Sequence, residues 1–486
     1  MRPAFRKLEE VAEMKIRSLS ISIVATILIF ASDLSARTWT QAATGRKIDA
    51  VFVRLEAAKV VLQYQGKEVV IPLSGLSKED QDYVANLAAP KSSGGGDWPR
   101  FRGPEQSNVS NETGLLQSWP EGGPEKMWAL EDVGSGYSSI VIGEGKLFHN
   151  GTVEGEMTAF AFDPTTGEKI WESTFGSDDG EGYGGMGSGQ RSTPTYADGK
   201  LFVLSPLGKL CCLNAEDGKE IWSANYLTDF SGSMGHWGYT ESPFVDGNRV
   251  IVSPGGPIDS IVALDVNTGE KVWGTNLRDA GTAEYTSIVG AEIKGTKQYV
   301  KLFMNLVVGV DAETGKKVWD SDWRGSTAVA ATPVVSGDQV FITTGYGVGC
   351  KLITVQGRAT SDEWDNREMK NHHGGVAKYG DHIYGFSDGP GLMCQSWETG
   401  ELVWNHKERF TTKGSLCVAD GLLFCLNEEG GGVTLAKASS EGFEKRGQFE
   451  IEKRSGRNTW AYPVVVGGRL YVRDQNYLVC YDVKGN

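Results

Sequence analysis

Eight positions spread along the chain gather the side chains best able to hold a ligand: Tyr137, Arg191, Thr240, Tyr285, Ala330, His373, Lys413 and Trp460. Each stands three residues before a recurring site, occupied by Pro194, Pro243, Pro333 and Pro463 where that site is proline. Arg191, His373 and Lys413 can carry positive charge, and Tyr137, Tyr285 and Trp460 are aromatic. Such a set suits a flat anion, or a peptide bearing carboxylates, through charge-assisted hydrogen bonds and stacking. A narrow channel with nothing to bind would be filled by Ser, Thr, Ala and Gly instead. The glycine-rich stretch "GEGYGGMGSGQR" around 181–192 either lets backbone N–H groups approach an anion or is simply a loop. His236, Trp237, Gly238 and Tyr239 lie in a further loop next to Thr240. His372 and His373 are adjacent, which is not metal-ligand spacing, and no nucleophile–base pair is arranged by the sequence. Neither metal binding nor hydrolytic catalysis is expected.

The elements that would position these residues repeat. "AFDPTTGEKIW" ends at Trp171, and its copies are "CLNAEDGKEIW" at Trp222, "ALDVNTGEKVW" at Trp273, "GVDAETGKKVW" at Trp319 and "CQSWETGELVW" at Trp404. A decayed copy, "LITVQGRATSDEW", ends at Trp364; another has lost its Trp, and the last stops at "CYDVKGN". Ahead of each copy runs an apolar strand, a Gly turn (145, 199, 247, 295, 337, 380, 421 and 468) and a second strand. This makes eight units at a mean spacing of about 46 residues, the period of a propeller with four short strands per blade. Within the motif, Asp163, Asp265 and Asp311 would accept backbone N–H bonds in a turn where Gly supplies a positive φ. Trp171, Trp222, Trp273, Trp319 and Trp404 would stack on the next blade while each indole N–H finds an acceptor. Two residues before the Asp the repeat asks for something small: Ala161, Ala263 and Gly309, with Cys212, Cys394 and Cys480 at the equivalent place. Those thiols therefore read as packing groups.

The fold expected is all-β: an eight-bladed propeller over 98–486, or seven blades if the unit near Trp364 is not one. The final unit runs out of chain before its Trp-bearing strand, and "PEKMWALED" upstream supplies an orphan strand with Trp128. Lending that strand to the last blade would close the ring and remove its edges. Sixty-four glycines against 16 prolines, without low complexity, fit many tight turns between short strands. A net charge of −14 argues against a nucleic-acid partner, since nothing here neutralises a run of phosphates.

Residues 1–36 read as a signal peptide, with Met14 the better start: Lys15 and Arg17, an apolar run from Ile21 to Phe30, then Leu34-Ser35-Ala36. The run is too short to span a bilayer, so a periplasmic or secreted monomer without a membrane anchor is expected. The seven cysteines are an odd number. Cys211 and Cys212 could form a vicinal disulfide, but in a strand they point to opposite faces and free thiols are expected. Residues 37–88 alternate in three short apolar runs around a Gly66-Lys67 turn, and Ser77 with Asp80 opens a short helix. Residues 89–97 have linker composition.

Through Trp39, Gly45, Phe52-Val53, Gly66-Lys67, Ile71-Pro72-Leu73, Leu76 and Tyr83, the first unit resembles the Sla-type homology domain, a small SH3-like β-barrel. The resemblance implies a peptide-binding or protein-contact module. The repeat motif of 98–486 resembles that of quinoprotein-type (PQQ-like) propellers. "DWPRFRGPEQSNVS", "WGYTESPFVDGNRVIVSPGG", "KGSLCVADGLLFCLNEEG" and "WAYPVVVGGRLYVRDQNYLVCYDVKG" are similar to exported propellers of planctomycete type, named after alcohol dehydrogenases or the outer-membrane assembly scaffold. For the dehydrogenases the resemblance implies PQQ with a calcium held by a Glu, an Asn and an Asp, plus an Asp base. No positions matching that set are found in this sequence. The expectation is a non-catalytic propeller that binds a partner protein or a small anionic or aromatic ligand at its channel face and needs no cofactor. The alternatives are a PQQ-dependent alcohol or sugar dehydrogenase and an envelope-assembly scaffold.

Overall fold

A computed structural model describes residues 37–485 apart from 43, 57–58, 65–66, 79, 81–95, 179–188, 408–412 and 429–430. The expected signal peptide, Gly66, Tyr83, most of the linker and the bulk of the glycine run at 181–188 lie outside these residues. The chain divides into two units, Met1–Ser92 and Ser93–Asn486. Among the described residues no helix is long and apolar enough to cross a membrane.

In the first unit four strands, Arg37–Thr40, Lys47–Glu56, Lys59–Tyr64 and Lys67–Pro72, pair in sequence order into one antiparallel sheet. Trp39, Ala50, Val60, Leu62 and Leu76 form its core, and the Trp39 indole N–H donates to the Ala50 carbonyl at 2.8 Å. Ser77 Oγ accepts the Asp80 N–H at 3.2 Å, the expected helix cap; most of that helix falls outside the described residues.

In the second unit the repeats become eight sheets, each four strands deep and each ordered outward along the chain. The first runs from Val141–Gly143 through Lys146–Val153 and Glu156–Phe162 to Lys169–Ser177. The decayed copy ending at Trp364 forms a sheet like the others, Val334–Ser336 to Ala359–Asn366. First strands of successive sheets lie side by side, so the sheets surround a common axis. The eighth sheet (Val464–Val466, Arg469–Asp474, Tyr477–Asp482) takes Glu125–Leu130 as its outer strand, with Cys480 opposite Trp128. The ring is thus closed by a strand from its own beginning.

The repeated motif forms the joints between sheets. Asp163 Oδ1 accepts the N–H groups of Thr165 and Thr166 at 2.7 and 2.9 Å; Asp265 and Asp311 make the same turn. The turn's Gly, at φ 76° for Gly167 and 73° for Gly269, lies beneath the Trp of the preceding sheet. A Cβ there would come within 3.0 Å of Trp128 or 2.6 Å of Trp222, so the indole covers bare peptide. Trp128, Trp171, Trp222, Trp364 and Trp404 donate to carbonyls of Pro164, Ala215, Val266, Trp397 and Ser439 in the following sheet at 2.7–3.2 Å. Two joints depart from expectation. The Trp319 indole turns to Gln298 Oε1 in its own sheet at 2.7 Å, because the next sheet carries the decayed turn. The Trp273 N–H has no hydrogen-bond partner. Inside each sheet the small residue sits directly opposite the Trp: Ala161 to Trp171, Cys212 to Trp222, Ala263 to Trp273, Gly309 to Trp319, Cys394 to Trp404. All seven cysteines are free and buried, and Cys211 and Cys212 face different cores.

The segment 98–112 ("WPRFRGPEQSNVSNE") touches every sheet in turn. Trp98 exchanges two backbone bonds of 2.9 Å with Ile142, and the Pro99 carbonyl accepts from Tyr196. The Arg100 guanidinium lies 5.0 Å over Phe244, and Gln106 bonds Ile288 and Gly290 at 2.6 and 3.1 Å. Buried Arg102 donates to the carbonyls of Thr332, Pro333 and Val376 at 3.0–3.2 Å. Val109–Ser110 adds a parallel strand to the seventh sheet, and Glu112 accepts from Gly467 and Gly468 in the eighth.

Candidate functional site

The three-residue offset from the aligned proline places all eight ring positions around one axial cavity of about 340 Å³. Tyr137, Arg191, Thr240, Tyr285, Ala330, His373, Lys413 and Trp460 all line it. Two residues further along each strand runs a belt of small hydroxyls that ties neighbouring sheets together. Ser139 N–H donates to Thr193 Oγ1, Thr193 to Ser242, Ser242 to Ser287 and Ser287 to Thr332, all at 2.9–3.1 Å. The small-residue channel lining therefore exists, one layer below the ring. Its sequence signal is a Ser or Thr directly before the aligned proline or its counterpart.

In the sixth sheet the belt position is Gly375, where a Cβ would lie 2.6 Å from the Tyr462 hydroxyl. That space lets Tyr462 reach across and donate to the His373 carbonyl at 2.7 Å. Phe101, from the crossing segment, meets Tyr462 edge-on at 4.8 Å, and both line the cavity. The two rings form a floor, and the cavity is a cup.

One wall is an aromatic arc. Trp460 lies 4.6 Å from Tyr137 on one side and 4.6 Å from His373 on the other. Its indole N–H donates to Glu428 Oε1 at 2.6 Å, which fixes the ring plane. The Arg191 guanidinium sits 5.3 Å over the Tyr137 ring at one end of the arc. The Gly134–Ser138 approach to Tyr137 is held by buried Arg473, which donates to the Gly134, Ser138 and Gln475 carbonyls at 2.6–2.9 Å. On the far wall Thr240 Oγ1 donates to the Tyr285 carbonyl at 2.9 Å, and Trp237 packs edge-on to Tyr285 at 5.7 Å.

At the rim, Asp388 Oδ2 accepts from the Tyr346 N–H at 3.1 Å and lies 3.1 Å from His372 Nδ1. Burial raises the Asp388 pKa, but the bonds from His372 and Tyr346 and the charges of His372 and Lys413 outweigh it, and the net shift is downward. Tyr346 holds φ 56°, a rare value for a bulky residue, and its ring lies tilted against that of His372 at 4.2 Å. Burial, then the charges of His372 and Lys413, hold the His373 pKa well below the ordinary imidazole range. His373 is therefore neutral, which removes it from the cations expected of the ring. Arg191 and Lys413 remain. Trp237 and His372 were singled out in the sequence. Phe101, Tyr346 and Tyr462 were not, because they reach the cup from a crossing segment, a hairpin tip and the belt layer, none of which shares the ring's spacing.

Among the described residues no group of three or more His, Cys, Asp or Glu is placed to hold a metal ion. Among the described residues the cup's lining contains no Asp or Glu, and Glu428 and Asp388 behind it are engaged by Trp460 and His372. A calcium–quinone pair needs anionic oxygen donors, whereas this lining offers two cationic side chains. The residues present do not fit that group.

The sequence profile of the family described as outer membrane protein assembly factor BamB matches residues 155–406. BamB of Shewanella oneidensis is 29% identical over 176 residues, covering 33% of this chain and 41% of that protein. The quinohemoprotein alcohol dehydrogenase of Comamonas testosteroni is 25% identical over 213 residues, 41% of this chain and 28% of that protein. The chain thus spans less than half the length of these curated relatives. Among solved structures, BamB from Moraxella catarrhalis superposes with a TM-score of 0.52 at 14% identity, covering 74% of this chain and 98% of that one. The Comamonas testosteroni dehydrogenase gives 0.57 at 14% identity, covering 80% and 81%. At such identities the likeness shows the propeller fold alone.

Proposed function

The chain belongs to the family of the outer membrane protein assembly factor BamB, and from that premise we propose that it is an exported, non-catalytic β-propeller. Its channel face binds a partner protein or a small anionic or aromatic ligand. The observation that carries this reading is the convergence of all eight ring positions on one cup with aromatic walls and two cationic side chains. The first unit acts as an SH3-like contact module of the Sla type, and the protein works as a monomer in the periplasm or outside the cell. Envelope assembly, the role printed in the names of the BamB relatives, is one setting for such binding.

Two measurements test it. Immobilised protein should capture a partner or ligand from envelope extract, and Arg191→Ala with Trp460→Ala should empty that capture without lowering the melting temperature. Incubation with PQQ and calcium should give neither stoichiometric binding nor dye-linked alcohol oxidation. Observing both would replace the binding reading with that of a quinone dehydrogenase.

A further inference from the structure

Resting on the channel-face reading, we infer that Lys301 is the positioning residue of the cup's far wall, fixing Thr240 and Tyr285 from behind through Glu241 and the Thr286 carbonyl. Lys301 is fully buried on the second strand of the fourth sheet. Its Nζ donates to the Thr286 carbonyl and lies 3.6 Å from Glu241 Oε2, itself buried at the approach to the third sheet. Glu241 directly follows Thr240, and Thr286 directly follows Tyr285, so one lysine ties the backbone behind two ring positions. The Trp237 N–H donates to the Tyr285 hydroxyl at 3.3 Å, so that part of the wall depends on the same tie.

The propeller itself does not require charge at these points. By strand register the other sheets place Val203, Val252, Ile342, Cys425 and Val472, all buried, at the Lys301 position. At the Glu241 position they place Ser138, Ser192, Ala331, Gly374 and Ala461. An acid and a base thus replace small and apolar residues at two neighbouring points, where each is the other's partner. Such a pair is weak evidence for stability, because desolvation offsets its attraction. It is, however, a directional tie that a valine cannot make. Glu241 is oriented by the Ser253 N–H at 2.6 Å, by the Ser253 hydroxyl and by the Tyr226 hydroxyl at 3.1 Å. Glu284, just before Tyr285, accepts from the Thr282 hydroxyl at 2.7 Å and the Val329 N–H at 3.2 Å. Burial lowers the Lys301 pKa, and the charges of Glu241 and Glu284 oppose that shift. The network spans the third, fourth and fifth sheets and ends on ring residues.

Lys301→Met, Glu241→Gln and the double variant test this in the whole protein. Trp222→Ala, which weakens a joint elsewhere, controls for stability alone. In the double variant, native-state amide exchange at Trp237 and Tyr285 should rise about tenfold relative to Tyr471 and Val472, the size of one lost charge-assisted hydrogen bond. The double variant should regain part of the melting temperature that Lys301→Met alone loses, since no unpaired carboxylate stays buried. Capture from envelope extract should nevertheless stay lost in the double variant and survive in Trp222→Ala. A double variant that exchanges and captures like the wild-type protein would reduce Lys301 to a space-filling residue and overturn the proposal. Raised exchange with capture intact, or capture lost equally in Trp222→Ala, would overturn it too. If the wild-type protein captures nothing, the channel-face reading fails, and the exchange comparison still decides whether Lys301 fixes the wall.

Discussion

At the scale of single residues, chemistry in this chain lies where the copies differ and structure where they agree. Asp163 and Asp388 are both carboxylates accepting a backbone N–H, yet one closes a repeated turn and the other orients His372 at the rim of the cup. The hydrogen bonds and charges around Asp388 outweigh its burial and lower its pKa, so folding favours its ionised form. A carboxyl with a depressed folded pKa stabilises the protein above its unfolded value of about 4, and that stabilisation is lost as pH falls through the folded value. Asp388→Asn should therefore reduce stability at neutral pH, and its gap from the wild-type protein should shrink on acidification below about pH 4. Urea denaturation at a series of pH values checks this; a gap that stays constant with pH would show that the aspartate's charge plays no part. His373 shows where residue type misleads. Its sequence position implied a cation, and only its burial beside His372 and Lys413 reveals a neutral ring.

At the scale of elements, the repeat announced the sheets, their outward order and the closing strand, because each depends on local turn chemistry and a period visible in one chain. The partners of the joints were less legible. The sequence shows that the copy before Trp364 has lost its Asp and Thr-Gly. It does not show that Trp319, one sheet earlier, therefore turns its N–H back to Gln298, which is a consequence of three-dimensional neighbours. Trp222 packs on Gly269 and donates to Val266 across the joint, so Trp222→Ala should cost about 3–5 kcal/mol, the usual range for a large buried aromatic. The joints after Trp273 and Trp319 lack the bridging hydrogen bond. Native-state amide exchange should accordingly find the outer strands Lys271–Thr275 and Lys317–Asp322, which carry these two indoles, opening at lower free energy than Glu220–Asn225 and Leu402–His406. Uniform protection around the ring would contradict a role for these hydrogen bonds in holding neighbouring sheets together.

At the scale of the whole molecule, a ring of eight sheets is a loop-closure problem: its last sheet must find a strand encoded before its first. The sequence reveals that strand through Trp128 and the truncated final repeat. It does not reveal that 98–112 binds all eight sheets, because Arg102, Gln106 and Glu112 fit no repeat and their partners lie up to 356 residues away. Arg102 contributes most plainly. Burial lowers its pKa to about 10, still well above neutral pH, and its charge is met by three carbonyls from two sheets. The same segment places Phe101 at the floor of the cup, so closure and binding share one element. Progressive N-terminal deletion separates the contributions. A chain starting at Ser93 keeps both the segment and the closing strand and should melt as the intact propeller does. One starting at Asn111 keeps the closing strand but loses Arg102, Gln106 and Phe101. It should still show β-sheet circular dichroism, melt several degrees lower, and lose channel-face binding for want of a floor. One starting at Glu131 lacks the closing strand and exposes the edge of Tyr477–Asp482, so it should aggregate rather than fold. If the chain from Asn111 melts and binds like the chain from Ser93, the segment is only a tether, and the eight sheets hold both their ring and their cup without it.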